Sequence, residues 1–396
     1  MDGAVRVLPY VPMAAALAVI AQLRSPANDY FQFWYAGHLV ATGRSPYDPA
    51  AWGVASQVYG DKAGIVALSC ALPDSPACLW AYPPWVGWLF APFGFLDPDH
   101  GIALQAAFLL VVGIAGVVLL AHAVPLSPAA AMVVRFVAVA AAPFVWASFL
   151  GQFDGLLLLG ALLVMLGLRD RRAIPLAAGA LVLSLKPNLF IALVPLTVAL
   201  LVARRSWRSF AVTSVTLSAV TAAAIVLDPA WLGSLARATT KVALTAPTTW
   251  SLGQSATPGV APLTIALVLL LSAAAAWSSI RGAPPRLWDA TVVASGIALS
   301  LVVTPYAHLY DYLLLVPAIA VAIAAVEHHG SAARSLALLA YGGGFFVLTW
   351  IAFLVGPHGD ESPVNALIPP AVLAGLVLAL RWRAGAGGAR SQPLPR

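Results

Sequence analysis

The sequence predicts an all-α polytopic membrane protein. Of its 396 residues, 61% are hydrophobic and only 9% are charged, whereas an ordinary soluble domain has about 25% charged residues. The apolar residues form runs of about 15 to 22, close to the ~20 that cross a bilayer as a helix, and short polar or arginine-containing breaks separate the runs. A membrane β-barrel would instead alternate apolar and polar residues within strands of about ten.

The N-terminal apolar run, from Leu8 to Gln22, is interpreted as a membrane anchor. The following Arg24-Ser25-Pro26 offers no small-x-small cleavage site, so a signal peptide is disfavoured. Residues 23–82 then form a predicted first extracytoplasmic loop. Within this loop, Asp29 to Ala41 contains five aromatic residues, a density typical of an interfacial helix at the level of the lipid headgroups.

Both cysteines of the chain, Cys70 and Cys78, lie in this first loop. In an oxidising compartment they are expected to close a short disulfide loop. The alternative is a pair of unpaired thiols.

The next apolar stretch, from Pro84 to Leu96, is shorter than the others. Its 13 residues would form a helix of about 20 Å, which is short for a full span. If it crossed the membrane, the arginine clusters downstream would face outward. We therefore interpret it as a re-entrant or interfacial helix.

The remaining breaks between apolar runs predict which loops face the cytoplasm, because cytoplasmic loops are enriched in Lys and Arg. The predicted cytoplasmic breaks contain Arg169 to Arg172, Arg204 to Arg208, Arg281 to Arg286, Glu327 to Arg334, and a tail at 384–396. The predicted outer turns are Gly151 to Asp154, Lys186 to Asn188, a second extracytoplasmic loop at 228–258, Thr304 to Asp311, and Gly356 to Pro363. This pattern predicts one integral membrane domain over residues 1–396, with about twelve spans and both termini cytoplasmic.

Composition and motifs exclude several classes of function. The net charge of +6 comes from arginines scattered between apolar runs, which indicates topology signals rather than nucleic-acid binding. The sequence has no P-loop, G-x-G-x-x-G, H-E-x-x-H or C-x-x-C motif, so nucleotide-driven and metal-thiolate chemistry are disfavoured. We expect no cofactor and no metal.

The candidate functional residues are ionisable groups at the outer ends of the spans, where charge is costly to bury. Asp29 directly follows the first span, and a partly desolvated carboxylate is a good general base; it can equally cap the helix that begins at Tyr30. Lys186 is a lone cation at the end of an apolar run. It suits a lipid-linked phosphate, or it can snorkel to the interface.

Two further outer turns contain polar side chains. Tyr306, His308 and Asp311 lie together in one turn, where His308 can bind a phosphate or shuttle a proton, although an aromatic belt with an incidental His is the simpler interpretation. Gln152 and Asp154 interrupt an apolar stretch; they can bind a polar substrate or cap the following helix.

Several segments, taken in order, resemble the polyprenol-phosphate-mannose-dependent mannosyltransferases of glycosyltransferase family 87. They are Asp29-Tyr30-Phe31-Gln32-Phe33-Trp34-Tyr35-Ala36-Gly37, Gly43-Arg44-Ser45-Pro46-Tyr47-Asp48, Tyr82-Pro83-Pro84, Gly151-Gln152 and Leu185-Lys186-Pro187. Each segment is weak alone, but the series covers roughly residues 25 to 210 with plausible spacing.

The resemblance implies a GT-C fold and a sugar donor carried on polyprenyl phosphate. It implies that Asp29 is the general base and that His308 matches a functional His of the family, although the residues around it diverge. Many members have Asn after Gly-Gln, whereas this chain has Asp154 two positions beyond Gln152. Substrate contacts are expected from the matched segments and the outer turns, namely Tyr47, Asp48, Tyr82, Gln152, Asp154, Tyr306 and Asp311, and donor-phosphate contacts from Lys186 and His308.

The expected activity is transfer of mannose or a related hexose or pentose to a lipid-linked or cell-envelope glycan, at the extracytoplasmic face of the plasma (inner) membrane. The partners would be the polyprenyl-phosphate donor, a glycolipid or glycan acceptor, and membrane lipids. The alternative is a transporter or flippase, which should have ionisable residues near span midpoints and related halves. A non-catalytic scaffold would leave the ordered segments unexplained.

Overall fold

The fold is that of an all-helical membrane protein. The computed structural model describes residues 29–59, 80–242, 261–304, 306–327, 331–355 and 363–388, and every regular element in those ranges is helical. The α-helices are α1 Asp29–Ala41, α2 Pro49–Tyr59, α3 Pro84–Gly94, α4 Pro98–Ala123, α5 Pro128–Ala140, α6 Ala142–Leu150, α7 Asp154–Arg169, α8 Ala173–Leu183, α9 Leu193–Ala203, α10 Trp207–Leu227, α11 Trp231–Val242, α12 Ala261–Gly282, α13 Trp288–Val303, α14 Val316–Val326, α15 Ser331–Ala337, α16 Gly344–Val355 and α17 Ile368–Gly388. Four 3₁₀ helices, Pro187–Phe190, Pro285–Leu287, Leu309–Leu315 and Pro363–Leu367, and a π-helical segment, Leu338–Gly343, complete the described elements.

Several predictions fall wholly or partly on residues that the structure does not describe. They are the N-terminal anchor, the disulfide between Cys70 and Cys78, parts of the two extracytoplasmic loops, most of the outer turn at 356–363, and the part of the 384–396 tail beyond residue 388. They stay predictions.

The described ranges contain seven helical segments long and apolar enough to cross a membrane, or eight when α5 and α6 are taken as one span bent by 43°. The predicted count of about twelve is therefore not confirmed. Part of the difference arises because α8 and α9, counted as spans from the sequence, have 11 residues each. A helix of that length covers only about 17 Å.

Local sequence signals account for the helix starts. Proline occupies the first turn of α3, α4, α5 and α6, where its missing N–H costs nothing. The Asp97 carboxylate accepts from the N–H groups of Asp99 and His100 at the start of α4. Ser127 caps α5, and the buried Glu327 carboxylate at the end of α14 accepts from both the N–H and the hydroxyl of Ser127. That carboxylate joins α5 to α14.

The centre of the protein is the segment Leu309–Val326, a 3₁₀ helix continued by α14. It is wholly buried within the protein, and α5, α13 and α17 pack around α14. The 3₁₀ part contacts α6, α7 and α13. Residues at the start of this segment are therefore carried into the interior at the point where α6 ends and α7 begins.

The aromatic residues of α1 are buried against the rest of the protein, so the predicted interfacial helix at the headgroup level is not confirmed. Phe31 and Phe33 are 0% exposed, Trp34 1%, and Tyr30 and Tyr35 2%. α1 packs along α3, so closely that a Cβ on Gly37 would lie 2.4 Å from the carbonyl oxygen of Phe90. Aromatic rings serve a packed core as well as an interface, so their density did not distinguish the two environments.

Candidate active site

The first half of the site is a contact between α1 and the turn that precedes α7. The Nε2 group of Gln152 donates to the Asp29 carboxylate over 2.5 Å, although the two residues are 123 positions apart. Gln152 is 5% exposed. Its Oε1 is buried and has no hydrogen-bond partner in the part of the chain that the structure describes. Gln152 thus holds the carboxylate and presents a second polar atom beside it.

The Gly151 turn explains how Gln152 reaches Asp29. Gly151 ends α6 in the left-handed region, with φ +85°, a conformation that favours glycine. A Cβ there would lie 2.4 Å from the ring of Tyr30, the residue after Asp29. The Tyr30 hydroxyl donates to the Ser148 carbonyl over 2.7 Å. The start of α1 is therefore fixed on the end of α6.

A cavity adjoins this contact. Its polar lining comes from Tyr30, Ser148 and Gln152, and its other walls are Ala106, Leu109, Leu110, Gly113, Phe144, Ala147, Gly155 and Leu313. Gln152 lies in the cavity wall, so the cavity reaches the side chain that holds Asp29.

Tyr82 lies next to this pair. The centre of its ring is 5.2 Å from that of Phe33 and 5.6 Å from that of Phe153. Burial, and then the nearby Asp29 charge, raise the pKa of Tyr82 well above its ordinary value. The phenol thus stays protonated at neutral pH. The Tyr47 hydroxyl donates to the Tyr82 carbonyl over 2.5 Å, so Tyr47 supports Tyr82.

The second half of the site is a buried charge cluster around Lys186. Its Nζ lies 2.5 Å from Oδ1 of Asp311 and 3.9 Å from Oδ1 of Asp154, and 4.7 Å from the ring centre of Tyr310. Lys186 is 2% exposed and both aspartates are 0% exposed. The predictions of a lone cation and of a snorkelling one are both wrong, because two carboxylates from distant parts of the sequence meet this ammonium inside the protein.

The predicted cap at the start of α7 is also wrong. The residue that precedes the helix is Phe153, and no side chain caps it. Asp154 instead points its carboxylate toward Lys186, where the opposite charge offsets part of its desolvation.

His308 and Tyr306 are linked to the Lys186 cluster through Asp311. The second oxygen of Asp311 accepts the backbone N–H of His308 over 2.7 Å. Nε2 of His308 lies 2.8 Å from the hydroxyl of Tyr306. Asn188, two residues after Lys186, donates to the carbonyl of Tyr306 over 2.8 Å. The turn that carries the histidine is therefore held from both sides.

Asp48 does not join this group. Its side chain is 44% exposed, its carboxylate accepts from the N–H of Ala50 at the start of α2, and it forms a loose pair with Arg44 at 3.8 Å. These contacts are those of a helix cap. Neighbouring Ser45 is instead hydrogen bonded to Asp228, which ties the first predicted outer loop to the second.

The structure thus gathers most of the predicted residues and adds several that sequence reasoning missed. Asp29, Tyr82 and Gln152 form one side, and Asp154, Lys186, Tyr306, His308 and Asp311 the other. Phe153 joins them, since its ring packs on Tyr82 and lies 6.0 Å from Nζ of Lys186. Among the missed residues, Tyr30 and Asn188 could have been found because they are close in sequence to Asp29 and Lys186. Nothing in the sequence distinguished Phe153 from other apolar residues.

Chemically, the arrangement combines a carboxylate held by an amide with an imidazole and a phenol, all of them partly buried. A carboxylate in that setting can take a proton from a hydroxyl. An imidazole and a phenol can donate to an anionic leaving group. No group of three or more His, Cys, Asp or Glu side chains suited to a metal ion occurs within the described ranges.

Comparison with known proteins identifies a family. The sequence profile described as glycosyltransferase family 87 matches residues 80–305, which is more than half of the chain. Tyr82, Gln152, Asp154 and Lys186 lie within the match, whereas Asp29 precedes it. No curated protein and no solved structure matches the chain.

Proposed function

The chain belongs to glycosyltransferase family 87, and on that premise we propose that it transfers a sugar from polyprenyl phosphate to a lipid-linked or cell-envelope glycan. Family membership and the apolar helices make it an integral membrane glycosyltransferase. The proposed sugar is mannose or a related hexose or pentose. The proposed site faces the extracytoplasmic side of the plasma (inner) membrane, where the arginine-poor turns are predicted to lie.

The observation that carries the proposal is the Asp29 carboxylate held by Gln152. In the proposed reaction Asp29 takes the proton of the acceptor hydroxyl while that oxygen forms a bond to the anomeric carbon. The bond between that carbon and the phosphate oxygen breaks, and the electron pair leaves with the phosphate. The transition state is oxocarbenium-like, as in glycoside cleavage. Oε1 of Gln152 is available to a neighbouring sugar hydroxyl.

His308 and Tyr306 are the proposed partners of the leaving phosphate. Both are held by Asp311 and Asn188 near the far side of the site. Hydrogen bonds to a developing anion are strong in a site from which water is excluded. Lys186 already pairs with Asp311, so a phosphate at this position would have to share the ammonium with that carboxylate.

A substrate contact by Tyr82 and an indirect role for Asp154 complete the proposal. The protonated Tyr82 phenol can donate to a sugar oxygen beside Asp29. Asp154 lies behind Lys186 and would act through it. For Asp48 the exposed position favours a helix cap over a substrate contact.

A transfer assay tests this function. Membranes containing the protein are given radiolabelled polyprenyl-phosphate sugars, and the variant Asp29→Asn is compared with the parent and with Asp48→Asn. General-base catalysis is worth about 10²- to 10⁴-fold, so Asp29→Asn should lose at least about 100-fold, while Asp48→Asn stays within about 3-fold. Equal transfer by Asp29→Asn and the parent would remove Asp29 from the role of base. A lipid and glycan profile of a deletion strain would identify the acceptor.

A further inference from the structure

The buried cluster around Lys186 contains more acidic groups than basic ones. Two carboxylates, Asp154 and Asp311, share a single ammonium, and all three side chains are at most 2% exposed. A charge enclosed in protein is costly unless it is paired. The Lys186 ammonium already has the Asp311 carboxylate as a close partner. An anionic phosphate would therefore not meet a free cation at Lys186.

The connections of Asp311 show what the ammonium holds in place. One oxygen of Asp311 faces Nζ of Lys186 at 2.5 Å, and the other accepts the N–H of His308 at 2.7 Å. Asp311 thus links the Lys186 ammonium to the turn that contains His308. The imidazole in turn meets the Tyr306 hydroxyl at 2.8 Å.

A second connection runs along the chain from Lys186. Asn188 donates to the Tyr306 carbonyl at 2.8 Å and to the Thr304 hydroxyl at 3.2 Å. The segment that contains Lys186 therefore contacts the turn at its start, through Asn188, and at its end, through the pair of Lys186 with Asp311. Asp154 fixes the same ammonium from the start of α7, the helix that follows Gln152, so the two halves of the site meet at Lys186.

We propose that Lys186 is a positioning residue: its ammonium neutralises Asp311 and Asp154 and so fixes the turn that carries His308 and Tyr306, without itself binding the donor phosphate. This inference rests on the proposed function, because it assigns the phosphate contact to His308. It differs from the sequence prediction, in which Lys186 binds the phosphate directly.

Second-site neutralisation separates the two roles. Lys186→Met removes the charge and keeps most of the side-chain volume, but it leaves two unpaired buried carboxylates, so transfer should fall by at least about 100-fold. In Lys186→Met/Asp311→Asn, the amide oxygen at position 311 can still accept the N–H of His308. If Lys186 is a positioning residue, this double variant should recover to within about 10-fold of the parent in kcat/KM. If Lys186 binds phosphate, the double variant stays as inactive as Lys186→Met, and the proposal is overturned.

Folding is measured on the same variants, by thermal melting in detergent and by elution as a single species. If Asp154 alone prevents folding of the double variant, Lys186→Met/Asp154→Asn/Asp311→Asn, which has no charge in the cluster, should fold and recover in the same way. Failure of both neutral variants to fold also overturns the proposal, since neutralisation would then not replace the ammonium.

A double-mutant comparison provides an independent readout. In a His308→Ala/Tyr306→Phe background, Lys186→Met/Asp311→Asn and its parent should have the same KM for the donor within about 2-fold, because both groups through which Lys186 acts are gone. If the substitutions at Lys186 and Asp311 raise the donor KM by the same factor in this background as in the unmutated protein, Lys186 contacts the donor separately and the proposal is overturned.

The failure of the proposed function has a different signature. Absence of transfer by the unmutated protein would refute that function, whatever Lys186 does. The melting temperatures would still test the role of the ammonium: Lys186→Met should melt lower than the parent, and the neutral variants should recover most of that loss. Equal melting of Lys186→Met and the parent would overturn the positioning role by itself.

Discussion

Two spans of this protein have the same mean hydropathy, 2.1, and opposite surroundings. In Trp207–Leu227, α10, only 6% of the apolar residue stretch is buried within the protein, whereas Leu309–Val326 is buried throughout. Lipid tails are as apolar as a protein core, so hydropathy alone cannot tell a peripheral span from a central one. The two segments differ in sequence at their starts. His308 directly precedes the buried segment, and Asp311 lies in its first turn.

The largest expected effect compares one isoleucine from each span. Ile323 in α14 is 0% exposed and Ile225 in α10 is 46% exposed. Ile323→Ala should lower the free energy of unfolding by about 2–5 kcal/mol, because it leaves a cavity in packed protein. Ile225→Ala should change it by less than about 0.5 kcal/mol. Equal shifts in melting temperature would contradict the assignment of α14 to the packed core and of α10 to the periphery.

The second comparison uses two glycines with positive φ. Gly151 has φ +85° and meets the Tyr30 ring, whereas Gly43 has φ +74° and an added Cβ there would have no neighbour within 4 Å. Both Ala variants carry left-handed strain of about 1–3 kcal/mol, but only Gly151→Ala must also displace Tyr30. We therefore expect Gly151→Ala to reduce sugar transfer at least about 10-fold more than Gly43→Ala, measured as kcat/KM at equal protein. Similar losses would show that the contact with Tyr30 is unimportant.

A smaller effect is expected at Tyr30 itself. Tyr30→Phe keeps the ring against Gly151 and removes only the hydrogen bond to Ser148. The loss should be about 1 kcal/mol in the free energy of unfolding, seen as a small drop in melting temperature. An unchanged melting temperature would indicate that the hydroxyl contributes nothing to fixing α1 on α6.

The smallest effect is expected at Asp48, on the periphery of the site. Asp48→Ala removes the cap of α2 and should cost about 0.5–1 kcal/mol of stability, with transfer activity within about 3-fold of the parent. A loss of about 100-fold in activity without unfolding would return Asp48 to the substrate contacts predicted from the sequence.

The sequence was sufficient for features that depend on composition and local signals. Apolar runs predicted an all-helical membrane protein, and the ordered segments predicted the family. Gly151 and the prolines at helix starts specify turns that can be read locally. Contacts between residues far apart in the sequence could not be predicted from such local signals. Nothing near Lys186 indicated that Asp311, 125 residues away, would supply its counter-ion.

The same limit explains the aromatic helix, and helix length explains part of the difference in the number of spans. Tyr30 to Tyr35 have the composition of an interfacial helix, but their neighbours in the fold, including Phe90 and Phe153, place them in the core. The turn between α8 and α9 was predicted, but each of these helices has only 11 residues. For the aromatic helix the deciding contacts come from distant segments.

The most direct test of the proposed site is a structure determined by electron cryo-microscopy with a non-transferable polyprenyl-phosphonate sugar bound. We predict the phosphonate within hydrogen-bonding distance of His308 and Tyr306, the sugar directed toward Asp29, and Lys186 still paired with Asp311. A donor analogue bound away from Asp29 would contradict the proposed active site. A phosphonate bound to Nζ of Lys186, with Asp311 displaced, would contradict the positioning role.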